Sequence, residues 1–151
     1  MTALESLGPH LGGCDVRILA TDLDTQMVET GRAGVYPVER VEELGTRGRF
    51  FRRGTGGFAG QARASEALRD LITFRQLNLM DEPWPFRGPF DFIFCRNVVI
   101  YFERATQKRL FERYWSLLAP GGCLFLGHSE SLGGAAERFQ TVGRTVHRRL
   151  G

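Results

Sequence analysis

The stretch Gly88–Phe102, GPFDFIFCRNVVIYF, decides the fold. After Gly88-Pro89, residues Phe90, Phe92, Ile93, Phe94 and Cys95 make a short, nearly unbroken apolar run. Such a run predicts a strand covered on both faces of a parallel sheet. Polarity arrives at its end, where Arg96 and Asn97 stand before apolar residues resume at Val98. Open α/β sheets place ligands beyond the carboxyl edge of their strands, so Arg96-Asn97 marks a candidate site. A charged group at the mouth of a buried strand is expected to be either paired or functional.

Upstream, Leu71–Leu77 (LITFRQL) alternates and predicts a strand that ends in Asn78-Leu79-Met80-Asp81. Earlier still, Val16–Ala20 reads as a buried strand followed by Asp22 and Asp24. Asp24 or Thr25 caps the next helix, with Met27 and Val28 facing inward and Gly31–Gly34 marking its end. Residues 3–11 carry Leu4, Leu7 and Leu11 at helical spacing. Downstream, Thr106–Leu118 predicts a helix with Leu110, Phe111, Tyr114, Trp115 and Leu118 on one face, stopped by Pro120-Gly121-Gly122. Cys123–Leu126 is the next buried strand, ending at Gly127-His128-Ser129-Glu130. Phe139–Val142 and Thr145–Leu150 flank Gly143-Arg144, a two-residue connection that predicts a type II′ hairpin.

Between Tyr36 and Asp70 the pattern changes: a helix over Val38–Leu44, then a small β insertion over about residues 49–70. Gly54, Gly56, Gly57 and Gly60 invite a phosphate-loop reading, but Ala59 stands where GxGxxG needs its last glycine, and a flexible hairpin turn is the better account. Strands alternating with helices, then an antiparallel hairpin, predict a three-layer α/β fold with a mostly parallel sheet. Its polar strand ends, Asp22, Asn78, Arg96-Asn97 and His128-Ser129, are expected along one edge.

A chain of 151 residues suits one domain. The net charge of +3 reflects 20 basic residues, of which only Lys108 is a lysine, against 17 acids. The arginine excess concentrates between Gly31 and Arg75; a solvated face is the simpler account, and no motif points to nucleic acid. Cys14, Cys95 and Cys123 are widely spaced with no CxxC, which indicates neither a disulfide framework nor a metal site. No apolar stretch approaches the ~18 residues of a membrane span, and a cytoplasmic protein with reduced thiols is expected.

Asp22, past a strand and before a helix, has the position of an acid that takes both hydroxyls of a nucleotide ribose, or of a simple helix cap. Asn78 has the chemistry to read an adenine edge, or is a strand-end turn residue. Tyr101 reads equally as a core aromatic with its hydroxyl at the surface. His128-Ser129-Glu130 suggests a hydrolase only superficially, since no GxSxG elbow precedes a helix. Cys95 has no base near it in sequence and reads as a structural thiol.

Taken together, ILATDLDTQMVETGRAGVYP, the pair Asn78-Leu79, FDFIFCRNVVIYF with ERATQKRL, and LAPGGCLFLGHSESL closely resemble the CheR-type chemotaxis receptor methyltransferases. The resemblance spans about residues 17–150 and implies a Rossmann-like S-adenosyl-L-methionine-dependent methyltransferase fold that esterifies glutamate side chains on the cytoplasmic helices of chemoreceptors. It implies that Asp22 holds the ribose, that Asn78 and Leu79 frame the adenine, and that Arg96 and Asn97 contact the cofactor. It places Tyr101 near the transferable methyl, with Arg96 orienting the substrate carboxylate or closing the pocket. The β insertion matches in position a subdomain that docks a receptor tail peptide in some members.

Against that family the sequence departs at its start, where the helical N-terminal domain, the first strand and the glycine loop have no counterpart. The expectation is therefore one incomplete methyltransferase domain over residues 1–151: an enzyme fragment, a non-catalytic methyltransferase-like binding module, or half of an assembly completed by another chain. A nicotinamide oxidoreductase is disfavoured by the lack of GxGxxG after a first strand. Two strand edges would lack a partner, which predicts self-association or direct pairing of the Val16 strand with the Phe90 strand.

Overall fold

A computed structural model describes residues 15–151; the helix expected over residues 3–11 lies outside the described residues. The chain divides between Asp81 and Glu82 into two compact units.

In the first unit, β1 (Ile18–Asp22) runs parallel to β5 (Ile72–Gln76), in register from Ile18 opposite Ile72 to Asp22 opposite Gln76. Parallel strands need a long crossover. Here it contains α1 (Thr25–Ala33), which packs on both strands, and an antiparallel sheet. Asp24 caps α1 by accepting from the Gln26 amide, and Gly34, with φ 65°, ends it by donating to the Thr30 carbonyl. A left-handed C′ residue of this kind is where glycine is favoured. Val28 is buried as expected, whereas Met27 is exposed because the next residue on a helix turns about 100° away.

The insertion is a three-stranded antiparallel sheet, ordered β2 (Val35–Pro37), β4 (Gln61–Ala64), β3 (Phe51–Arg53). It begins earlier than the residue 49 expected, because Val35–Pro37 pairs with Arg63–Gln61. Two short helices accompany it, α2 (Val38–Glu42) and α3 (Glu66–Arg69), and Val41, Ala62, Ala64 and Leu68 are buried.

The second unit holds a four-stranded sheet ordered β6 (Phe90–Cys95), β7 (Leu118–Leu126), β9 (Val146–Arg149), β8 (Phe139–Gly143). β6 and β7 are parallel and are joined through α4 (Arg104–Leu117), which buries Leu110, Phe111 and Tyr114. Leu124 and Leu126 of β7 are fully buried. The Pro120-Gly121-Gly122 stop is not a separate turn. Leu118 ends the helix and pairs at once with Phe90, and the surplus residues bulge before Phe92 pairs with Cys123. The closing hairpin is also one residue later than expected. Gly143 pairs with Val146, so Arg144-Thr145 form the connection, and neither Gly143 nor Arg144 has the positive φ that a II′ turn at Gly143-Arg144 requires. His147 is buried here against the Thr141 hydroxyl at 3.1 Å, and burial pushes its pKa below the usual value.

β6 is not covered on both faces. Cys95 is buried, but Phe92 and Phe94 on the opposite face are 60% and 68% exposed. Phe94 stacks on Phe125, with ring centroids 4.4 Å apart, so the side chains cover each other in the absence of a layer above them. β1 is equally open, with no residue of Ile18–Asp22 buried. Within the first unit β1 pairs with β5, and within the second β6 pairs with β7. Among the described residues of its own unit each keeps one free edge, and a free edge beside exposed aromatics is a template for association. The 151-residue chain should self-associate, and Phe94→Lys should shift it toward monomer in sedimentation velocity. A wild-type chain that stays monomeric as concentration rises contradicts this.

Candidate functional site

In the first unit, the carboxyl ends of β1 and β5 lie side by side, with the Leu77 amide donating to the Asp22 carbonyl at 2.9 Å. Asp22 is exposed, and one of its carboxylate oxygens accepts from the Asp24 amide at 2.9 Å. Because Asp24 caps α1, Asp22 is not consumed as the helix cap, and its second oxygen faces solvent. Asn78 is tied into its own turn: its Oδ1 accepts from the Met80 amide at 3.0 Å and its Nδ2 donates to Asp81 at 3.1 Å. An amide group has two donors and two acceptor lone pairs, so one of each is left at Asn78. Leu79 follows, half-buried.

In the second unit, β6 and β7 end together, with Cys95 opposite Leu126. Arg96 and Asn97 follow β6 and are both exposed. Arg96 makes no ion pair or hydrogen bond among the described residues, and being exposed it is solvated; burial does not force a partner on it. Asn97 has φ 59° and is the one non-glycine residue at positive φ among the described residues. Asparagine tolerates this left-handed conformation better than most side chains. A turn of 3₁₀ helix over Val99–Tyr101 comes next, with Val99 buried and Tyr101 80% exposed. The exposure settles Tyr101 as a surface ring and not a core aromatic.

Two residues that sequence reasoning left without a role hold this loop. Gln107 of α4 donates from Nε2 to the carbonyls of Val99 and Phe102, both at 2.9 Å. Glu130 reaches the loop from beyond β7. Its Oε1 accepts from the Val98 and Val99 amides at 2.9 and 3.0 Å, and its Oε2 accepts from the Gly127 amide at 2.5 Å. His128 and Ser129 are exposed beside it, and neither has a hydrogen-bond partner among the described residues, so no hydrolytic arrangement forms. Cys95 is buried beneath the loop, accepting from the Tyr114 hydroxyl at 3.3 Å. Burial pushes the Cys95 thiol and the Tyr114 hydroxyl up from their ordinary values, so both stay protonated.

A cavity of about 480 Å³ in the first unit lies elsewhere, against β5, with Arg32, Arg69, Asp70 and Arg75 in its lining and neither Asp22 nor Asn78. Arg32 is already engaged there by Glu29 and by the Phe74 carbonyl. Among the described residues no helix is long and apolar enough to cross a membrane.

Comparison with known proteins identifies the family. A family model described as CheR methyltransferase, SAM binding domain, matches residues 1–148. The chain is 47% identical over 149 residues to chemotaxis protein methyltransferase 2 of Pseudomonas aeruginosa, covering 97% of this chain and 52% of the relative. It is 42% identical to the chemotaxis protein methyltransferase of Klebsiella aerogenes and 40% identical to that of Escherichia coli, each over 97% of this chain and 51% of the relative. The chain thus spans about half the length of the curated relatives it matches.

The Cys95 environment makes a direct prediction. At pH 8 iodoacetamide should alkylate Cys123, which is half-buried, well ahead of Cys95, as read by peptide mass mapping. Equal rates for the two thiols in the folded chain contradict the burial described.

Proposed function

Because the chain belongs to the CheR methyltransferase family, within its SAM-binding domain, we propose that it binds S-adenosyl-L-methionine at the carboxyl ends of its strands and serves the methyl esterification of chemoreceptor glutamates. The observation that supports this most is that both parallel strand pairs end in exposed polar groups whose chemistry matches parts of that cofactor. The spare Asp22 oxygen accepts from the ribose hydroxyls, and each such charge-assisted bond contributes about 1.5 to 3 kcal/mol. Asn78 reads the adenine edge with its remaining donor and lone pair, and Leu79 lies against the ring. Arg96 and Asn97 contact the cofactor from the end of β6, and Tyr101 presents its ring or hydroxyl to the sulfonium.

S-adenosyl-L-methionine supplies a methyl already activated on sulfur. A glutamate is ionised at neutral pH, so no side chain of this protein has to remove a proton. What its residues contribute is orientation and exclusion of water: Arg96 steers the substrate carboxylate or closes over the cofactor, and Tyr101 lines the methyl. The partners in this reading are the glutamate-bearing cytoplasmic helices of chemoreceptors, and the protein acts in the cytoplasm. The β2–β4–β3 sheet has two outer strands with free edges and the exposed Arg52, Arg53 and Arg63, features that suit addition of an extended, acidic receptor tail.

A non-catalytic, methyltransferase-like binding module is the second reading, and the uncovered face of β6 favours it. Isothermal titration with S-adenosylhomocysteine separates the two. The chain should bind, and Asp22→Ala should weaken binding about 10-fold or more. No detectable binding by the wild-type chain would sink the claim that these 151 residues hold the cofactor by themselves.

A further inference from the structure

We propose that Glu130 is a positioning residue, whose carboxylate fixes the Arg96–Val99 loop in the shape that presents Arg96 and Asn97. The cofactor-binding part of this inference rests on the reading above, whereas the clamp itself does not.

Glu130 closes a turn at the end of β7, where its own amide donates to the Gly127 carbonyl at 3.2 Å. Its side chain then folds back on Gly127 and across to the neighbouring strand end, so one carboxylate ties the loop after β6 to the turn after β7. A carboxylate accepting several backbone N–H groups makes charge-assisted bonds, roughly twice as strong as neutral ones. Neither His128 nor Ser129, the other polar residues of this turn, hydrogen-bonds to the loop among the described residues; Glu130 alone among them bridges it.

Two further observations point the same way. The positive φ of Asn97 lies directly before the clamped amides of Val98 and Val99. A residue in a sparsely populated backbone region persists where its surroundings over-determine it. Gly127, for its part, has no room for a side chain: a Cβ there would lie 2.6 Å from Asn97 Oδ1, 2.8 Å from Glu130 Oε2 and 3.1 Å from the Asn97 nitrogen. The glycine is needed for close approach, not for an unusual φ, and it lets the carboxylate and the Asn97 loop share one space. The sequence Gly127-His128-Ser129-Glu130 is thus a bracket whose first residue makes room and whose last residue grips.

Glu130→Gln keeps the size of the side chain but replaces one acceptor oxygen by an amide donor, which cannot accept from both places. Two readouts test the inference on the 151-residue chain: hydrogen exchange at the Val98, Val99 and Gly127 amides, and S-adenosylhomocysteine affinity. In Glu130→Gln these amides should exchange about 10-fold faster while Leu124 in the core of β7 is unchanged, and affinity should fall about 10-fold. Gly127→Ala should reproduce both effects by crowding the same space. Unchanged exchange at all three amides, Val98, Val99 and Gly127, in Glu130→Gln overturns the clamp. Faster exchange with wild-type affinity overturns its role in presenting Arg96 and Asn97. If the wild-type chain does not bind the ligand, the cofactor reading fails, and the exchange data still decide whether Glu130 holds the loop. If either variant unfolds, its Leu124 amide loses protection, and the other variant supplies the decision.

Discussion

Three backbone N–H groups converging on the Glu130 carboxylate are the interaction on which the second unit's site depends. Parallel pairing of β6 with β7 brings the two strand ends together, but it leaves the segments after Cys95 and Leu126 with unpaired amides. Such groups are costly to leave unsatisfied away from water. One acidic side chain meets three of them, and Gln107 meets two carbonyls on the far side of the same loop. The outcome is a loop in which the Val98 and Val99 amides are anchored and the Val99 side chain is buried, while Arg96, Asn97 and Tyr101 stand in solvent.

The composition takes on a different meaning once the arginines are located. Arg113 lies over the Trp84 ring at 4.5 Å, and Arg138 and Arg149 flank Trp115 at 4.6 and 4.4 Å. A planar guanidinium stacks on an aromatic face where a lysine ammonium would not, which gives a structural reason for arginine over lysine at these positions. In the arginine-rich first unit, Arg32 pairs with Glu29 and Arg53 with Glu42, all four largely exposed. Exposed pairs of this kind contribute little to stability. Much of the basic character is therefore explained by packing and solvated pairs.

The sequence was most legible where local chemistry decides. Asp24 capping α1, Gly34 ending it, the apolar face of α4 and the parallel strands at 72–76 and 90–95 follow from residue types within one element. It was less legible where one segment depends on another. The apolar run Phe90–Cys95 reads as buried on both sides, yet whether Phe92 and Phe94 are covered depends on what else packs there, which a period-2 pattern cannot contain. The hairpin slipped by one residue because strand pairing, with a bulge between Thr141 and Gly143, overrode the turn preference of Gly143-Arg144. Val35–Pro37 was missed as a strand because a proline-containing triplet has little β signal of its own and is held by Gln61–Arg63. Among the candidate residues, the strand-end placement of Asp22, Asn78, Arg96 and Asn97 was legible from the strands that precede them. Glu130 was read only as part of a strand-end loop: its partners lie 31 and 32 residues away, and no local pattern signals that reach.

The central claim is the proposal that the polar strand ends bind S-adenosyl-L-methionine. Amide chemical-shift mapping of the ¹⁵N-labelled chain during titration with S-adenosylhomocysteine tests it most directly. The account predicts that Asp22, Leu79, Arg96, Asn97 and Tyr101 shift during the titration, while the β8–β9 hairpin stays silent. Shifts confined to the β2–β4–β3 sheet or to that hairpin, with the strand ends unmoved, would contradict it.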